Sequence, residues 1–342
     1  MVHLLNLLAA IALLVWGTSI VRTGMMRLLG ANLRTVLAHS FRNRFTAMLA
    51  GMAVTGLVQS STATCLMLAS FAGKELVTTG AALAVMLGAD IGTAAMTVVY
   101  AFDLSWVSPL FIFSGVVLFI SRQNSVAGQV GRVLIGLGLI TLALQLIVGA
   151  TKPLTQAPAV RALLVSLPSE VMLDIVVGAL LTVLAYSSLA IVLLTATLAA
   201  SGLLPVSVAL GLVIGANVGS AVLALFSTSG QPAAARRVPL GNLMFKLVGT
   251  AIAIPLVPEA RALLGQWIVD VQQQVVGFHL VFNVVLAAVC VAFTGAVGRL
   301  TARFIPDPRR GVDERRSHLD AAALGTPSLA IGCAAREALH QA

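Results

Sequence analysis

A stretch of 44 residues that the chain carries twice limits its possible folds more than any other feature. Residues 51–94 and 178–221 align without a gap, and their matches fall on Gly, Ser and Thr as well as on Ala and Leu. The first copy holds Gln59-Ser60-Ser61-Thr62-Ala63-Thr64 in apolar sequence, followed by Gly88-Ala89-Asp90-Ile91-Gly92-Thr93. The second holds Tyr186-Ser187-Ser188-Leu189-Ala190 and then Gly215-Ala216-Asn217-Val218-Gly219-Ser220. Ser60 precedes Gly88 by 28 residues, and Ser187 precedes Gly215 by the same 28. A fixed offset of this kind means that one structural unit is used twice.

The medium in which that unit folds follows from polarity. Only 10% of residues are charged, 59% are hydrophobic and the mean hydropathy is +1.01. A soluble domain carries about 25% charged residues, so this chain has too little polar surface to cover itself in water. Its apolar blocks run to about 20 residues, the length of a membrane-crossing helix. The chain is predicted to be an all-α polytopic membrane protein. Its net charge of +9 is no signature of a nucleic-acid binder, because the arginines lie between apolar blocks and not along one face. Cys65, Cys290 and Cys333 have no metal-ligand spacing and read as apolar fillers or free thiols. Residues 4–21 lack a preceding basic region and a following small-residue cleavage pattern, so they read as a retained helix.

The expected organisation is a first transmembrane repeat over 1–150, an extracytoplasmic linker over 151–170, a second repeat over 171–305 and a short cytoplasmic tail over 306–342. Within the first repeat, 4–21 is a span, and 22–45, with five arginines and no acid, reads as an amphipathic segment on the cytoplasmic surface. Residues 46–73 read as a broken or re-entrant hairpin, since their centre is polar. Spans follow over 76–102, 104–120 and 130–150. The second repeat reads as a hairpin over 171–200 and spans over 204–226, 238–257 and 276–298. With 22–44 inside and each hairpin returning to its own side, 16 Lys and Arg fall inside and three outside, while Asp103, Glu170, Asp174, Glu259 and Asp270 fall outside. This is the positive-inside pattern. An odd number of spans separates the hairpins, so the two repeats are predicted to be inverted. The chain is expected in a bacterial inner membrane with its C-terminus cytoplasmic.

Two broken helices meeting at mid-depth make a site reachable alternately from either side. A break frees backbone N–H groups at one half-helix start, which attract anions, and C=O groups at another half-helix end, which attract cations. Uncharged hydroxyl and amide side chains complete such a shell for a small anion and alkali cations. The competing reading is packing: Gly88-x-x-x-Gly92 and Gly215-x-x-x-Gly219 are also close-approach motifs, and Ser and Thr often only bond across helices. Pairing and equal spacing favour a binding site.

At these residues the chain resembles the type II sodium–phosphate cotransporter family. That family's hallmark is a Gln-Ser-Ser run in each inverted repeat, followed by Gly-Ala-Asn-Ile-Gly-Thr. Phe278-His279-Leu280-Val281-Phe282-Asn283 is also similar to its late His-x-x-Phe-Asn element. The resemblance covers about residues 1–305. It implies sodium-coupled phosphate transport, with Gln59, Ser60, Ser61, Thr62, Ser187, Ser188, Asn217 and Ser220 lining the site. Thr64, Asp90, Thr93 and Asn283 belong to the same motifs and complete the candidate set. The implied partners are inorganic phosphate, sodium as coupling ion and the bilayer, with no further cofactor and no nucleic acid; a homodimer is left open.

The chain departs from that pattern in four places. Tyr186 stands in place of the second Gln, Leu189 replaces a hydroxyl, Asp90 stands where Asn is usual, and Lys246 stands where an Asn is usual. Lys246 and Asp90 are ionisable residues in apolar spans, where charge is costly unless paired or hydrated. Lys246 either snorkels to an interface or supplies a fixed positive charge in place of sodium, with Asp90 as partner; Asp90 itself could ligate sodium or carry protons. In the family a PhoU-like helical domain follows the membrane part. Here 306–342 is expected to hold only a short tail. Other readings are a proton-coupled or other-oxyanion transporter, a phosphate exporter, a channel, or an intramembrane enzyme. The last lacks a nucleophile elbow, a second metal-spaced ligand beside His279 and a close carboxylate pair. His279 reads as a packing residue.

Overall fold

The computed structural model describes residues 2–41, 43–102, 105–123, 125–156 and 170–307, with a few residues beyond 329. Among them every regular element is helical: α1 (Val2–Ser40), α2 (Arg44–Val58), α3 (Ser61–Gly73), α4 (Thr79–Ala101), α5 (Val107–Ser121), α6 (Val126–Gln156), α7 (Val171–Ala185), α8 (Ser188–Ala200), α9 (Val206–Ser227), α10 (Ala233–Ala253), α11 (Val257–Trp267), α12 (Val271–Cys290) and α13 (Thr294–Phe304). Among the described residues six helical stretches are long and apolar enough to cross a membrane. The protein is a multi-pass membrane protein. Residues 2–305 and 306–342 form separate units. Most of the expected linker, at 157–169, and the tail's 308–329 lie outside the described residues.

Three expectations are corrected. The span at 4–21 and the amphipathic segment after it are one helix of 39 residues. No Pro interrupts it, and its buried stripe of Leu7, Ala10, Leu14, Val21, Leu33 and Leu37 continues through the arginine-rich part. The span expected over 104–120 is α5, with only 15 residues. At 1.5 Å per residue it is shorter than the roughly 30 Å hydrocarbon core. The spans at 238–257 and 276–298 both run on through a single 3₁₀ turn, Ile254–Leu256 and Val291–Phe293, into α11 and α13. Arg44 donates to the carbonyl of Ala292 in the second of these turns at 2.9 Å, which satisfies an oxygen that the change of helix type turns outward.

Glycine contacts fix the direction of the hairpins. A Cβ on Gly88 would lie against the Met48 carbonyl, and one on Gly92 against that of Met52. Both contacts advance four residues along each helix, so α4 runs parallel to α2. In the second half Gly215 and Gly219 meet the carbonyls of Ile175 and Ala179 in the same way, so α9 runs parallel to α7. Only 74–78 join α3 to α4, too short a link to cross back over the length of a helix. The middle helix of each trio therefore runs against its neighbours, and each broken pair is a hairpin. The first legs expose Leu49, Leu57, Val176 and Leu180, as a lipid face would, whereas α8 is buried almost throughout. At the start of α4, Gly80 meets Gly295 and Gly298 of α13, and a Cβ on Gly80 or Gly298 would lie about 3.1–3.3 Å from the facing backbone.

Candidate functional site

The two breaks have the same local geometry. Gln59 closes α2 in the left-handed region at φ 60°, ψ 29°, and Tyr186 closes α7 at φ 53°, ψ 23°. Ser60 and Ser187 follow in extended conformation, at φ −152° and −156°, and each accepts a hydrogen bond from the backbone N–H three residues on. Those hydroxyls are N-caps. They leave the first-turn N–H groups of Ser61 and Thr62, and of Ser188 and Leu189, without a carbonyl in their own helix. Left-handed backbone costs a non-glycine residue about 1–2 kcal/mol, so surrounding structure holds both breaks in place. At the first break Thr55 and Thr64 share a 2.8 Å hydrogen bond, and the Tyr100 hydroxyl donates to Gln59 Oε1 at 2.9 Å.

Gln59 and Ser60 from one break, and Tyr186 and Ser187 from the other, line a single cavity of about 730 Å³. Its remaining wall is mainly apolar, from residues such as Leu8, Ile11, Val15 and Trp16 of α1 and Leu181 and Leu184 of α7, with Thr18, Ser19 and Arg22 of α1 as its further polar groups. Arg22 donates to the Tyr186 carbonyl at 3.4 Å and to Ser19 Oγ at 3.5 Å. Both bonds are long, and the guanidinium keeps further donors for a ligand. The cavity thus joins two helix starts, two capping hydroxyls and one guanidinium, all suited to an oxyanion. Arg22 is absent from the sequence-based candidates, among which it reads as a cytoplasmic surface charge. An arginine at the end of an apolar run looks like a membrane flank, and only the unbroken continuation of α1 places it inside.

The other candidates divide. Asp90, Ser220 and Lys246 come together as a buried triad: Lys246 Nζ donates to Asp90 Oδ1 at 2.9 Å and to Ser220 Oγ at 2.8 Å. Ser220 in turn donates to the Asn217 carbonyl at 2.8 Å. Lys246 is 1% exposed, which rules out snorkelling. Asp90 Oδ2 is buried without a partner. Thr93 donates to the Ala89 carbonyl, Asn217 to that of Val213 and Asn283 to that of His279, each within its own helix. Asn283 Oδ1 is left unpaired. Ser61 and Thr64 are buried, Thr62 and Ser188 half-buried. His279 is buried and shares a 3.3 Å hydrogen bond with Thr97, as a packing residue does. The glycines of both Gly-x-x-x-Gly motifs are packing devices, while residues between them carry the polar groups.

With this geometry in view, comparison with known proteins is decisive. The family model described as Na+/Pi-cotransporter matches residues 13–149 and again 153–297. The chain belongs to the Na+/Pi-cotransporter family. This is a family of transporters, not enzymes. Proteins of Salmonella typhimurium and Escherichia coli K12, each called "Putative inorganic phosphate export protein YjbB", are 50% identical over 341 residues, 99% of this chain. The chain spans 63% of the length of those relatives. "Uncharacterized protein YqeW" of Bacillus subtilis is 22% identical over 306 residues, 90% of this chain and 99% of its own. No solved structure matches.

Proposed function

We propose that this member of the Na+/Pi-cotransporter family is a secondary transporter that moves inorganic phosphate by alternating access, coupled to sodium. The observation that carries the reading is the single cavity lined by both helix breaks together with Arg22. Phosphate is bound there by Arg22, Gln59, Ser60 and Ser187, with the helix starts at Ser61 and Ser188 supplying backbone donors. Gly138 meets Ser108 and Ile112 while Gly131 meets Gly115 and Phe119, so α5, short as it is, runs against α6. This alternation of direction between the hairpins supports a second hairpin that enters from the opposite side, an inverted repeat. The charge distribution supports a bacterial inner membrane with the region after α13 cytoplasmic. The relatives called phosphate export proteins favour outward movement.

The test is radiolabelled phosphate flux in proteoliposomes under a sodium gradient, against a potassium control. Accumulation driven by sodium is expected, and Ser60→Ala with Ser187→Ala should lower it at least tenfold. Arg22→Gln should raise the phosphate KM by about 10–100-fold, the equivalent of one charge-assisted hydrogen-bonded contact at 1.5–3 kcal/mol. Flux that follows a pH gradient and ignores sodium would point to protons as the coupling ion. Absence of phosphate movement, with flux of another oxyanion such as sulfate, would replace the substrate.

A further inference from the structure

The repeat relates Asp90 to Asn217 and Thr93 to Ser220, each pair 127 residues apart. Lys246 joins the acid of the first copy to the hydroxyl of the second. Asp90 against Asn217, a position where the copies differ in charge, is thus the one that receives a lysine. The chain holds a second, similar element: Asn242-Leu243-Met244-Phe245-Lys246 in α10 parallels His279-Leu280-Val281-Phe282-Asn283 in α12. The residue matching Lys246 there is the neutral Asn283, whose Oδ1 is buried and unpaired. Around the Lys246 ammonium stand oxygen atoms, one carboxylate and one hydroxyl at 2.8–2.9 Å, the donor types that bind a hard monovalent cation.

Resting on the reading of the chain as a cation-coupled transporter, we propose that Lys246 is a tethered cation. Its ammonium permanently fills the position between Asp90 and Ser220, so that no sodium binds there and each turnover carries one sodium fewer than a chain with a neutral residue at 246. The pair is neutral as a unit, which lets it sit in an apolar span. Replacing Lys246 with a shorter neutral residue removes the ammonium and leaves an anionic oxygen site with room for a free ion. Asp90 Oδ2, unpartnered in the triad, is available as an additional ligand.

The experiment compares wild type with Lys246→Asn in detergent, without phosphate, by thermal unfolding in sodium and in potassium chloride at equal ionic strength. The variant is expected to melt about 2–4 °C higher in sodium than in potassium, beyond any difference shown by wild type. In proteoliposomes its sodium dependence should become steeper by one ion. If the variant melts alike in both salts, the proposal is overturned. Should Lys246→Asn fail to fold in potassium, folding in sodium upholds the proposal. Failure in both salts, while the charge-neutral Asp90→Asn, Lys246→Asn pair folds, overturns it. Because the melting arm contains no phosphate, it is independent of the substrate reading, which the flux assay tests separately.

Discussion

Asp90 and Lys246 depend on each other more than on anything else near them. The pair is buried to 4% and 1% exposure, so removing either partner strands a charge in an apolar interior. Asp90→Asn is expected to cost about 3–5 kcal/mol. Adding Lys246→Asn should recover most of that loss, giving a coupling energy of at least about 2 kcal/mol in a thermal or denaturant double-mutant cycle. Near-additive losses would mean that the bond carries little of the stability. Much of this site was legible in sequence: two ionisable residues in apolar spans had to find partners. Arg22 was not legible, because its neighbours in sequence describe a membrane edge, and its neighbours in space come from helices 37 and 164 residues away. A smaller residue-scale asymmetry also follows from the duplication. Thr55 pairs with Thr64, but their counterparts are Thr182 and Ile191, and the Thr182 hydroxyl is buried without a partner.

At the scale of elements, the glycines separate packing from binding. Gly88→Ala places a methyl group against the Met48 carbonyl and Gly215→Ala against that of Ile175, both far closer than atoms tolerate. Each should destabilise the protein by about 2 kcal/mol or more, on the order of other overpacking changes. Gly56, also in α2, has nothing within 4 Å of a Cβ. Gly56→Ala should be neutral or stabilising by about 1 kcal/mol, since alanine favours a helix. Melting temperatures of the three variants check both signs at once. The polar runs foretold the hairpin breaks because a helix cannot keep such groups in lipid without a cavity. Helix extents were less legible. α1 continues through its arginines because no proline breaks it. Pro255 in the first 3₁₀ turn and Pro258 at the start of α11 read as the end of a span, yet the chain runs on into α11, and Val291–Phe293 before α13 holds neither Gly nor Pro.

For the molecule as a whole, the close backbone approaches at Gly88, Gly92, Gly215 and Gly219 all tie a first leg to the third helix of its own trio. Helices in such carbonyl contact resist sliding, so the first and third helices of each trio are held in register. Gly80 with Gly295 and Gly298 is different, because it brings helices of the two halves together with no side chain between them. Gly80→Val is expected to slow turnover at least tenfold in the proteoliposome assay while leaving the phosphate KM within about twofold, as a change in a moving step does. A proportionate loss of phosphate affinity would tie this contact to the site instead. Under the proposed alternating access the three glycines would serve as a bearing between the halves, bare of side chains at the backbone contact itself, with the Arg44 bond to the Ala292 carbonyl beside it as the latch to be released.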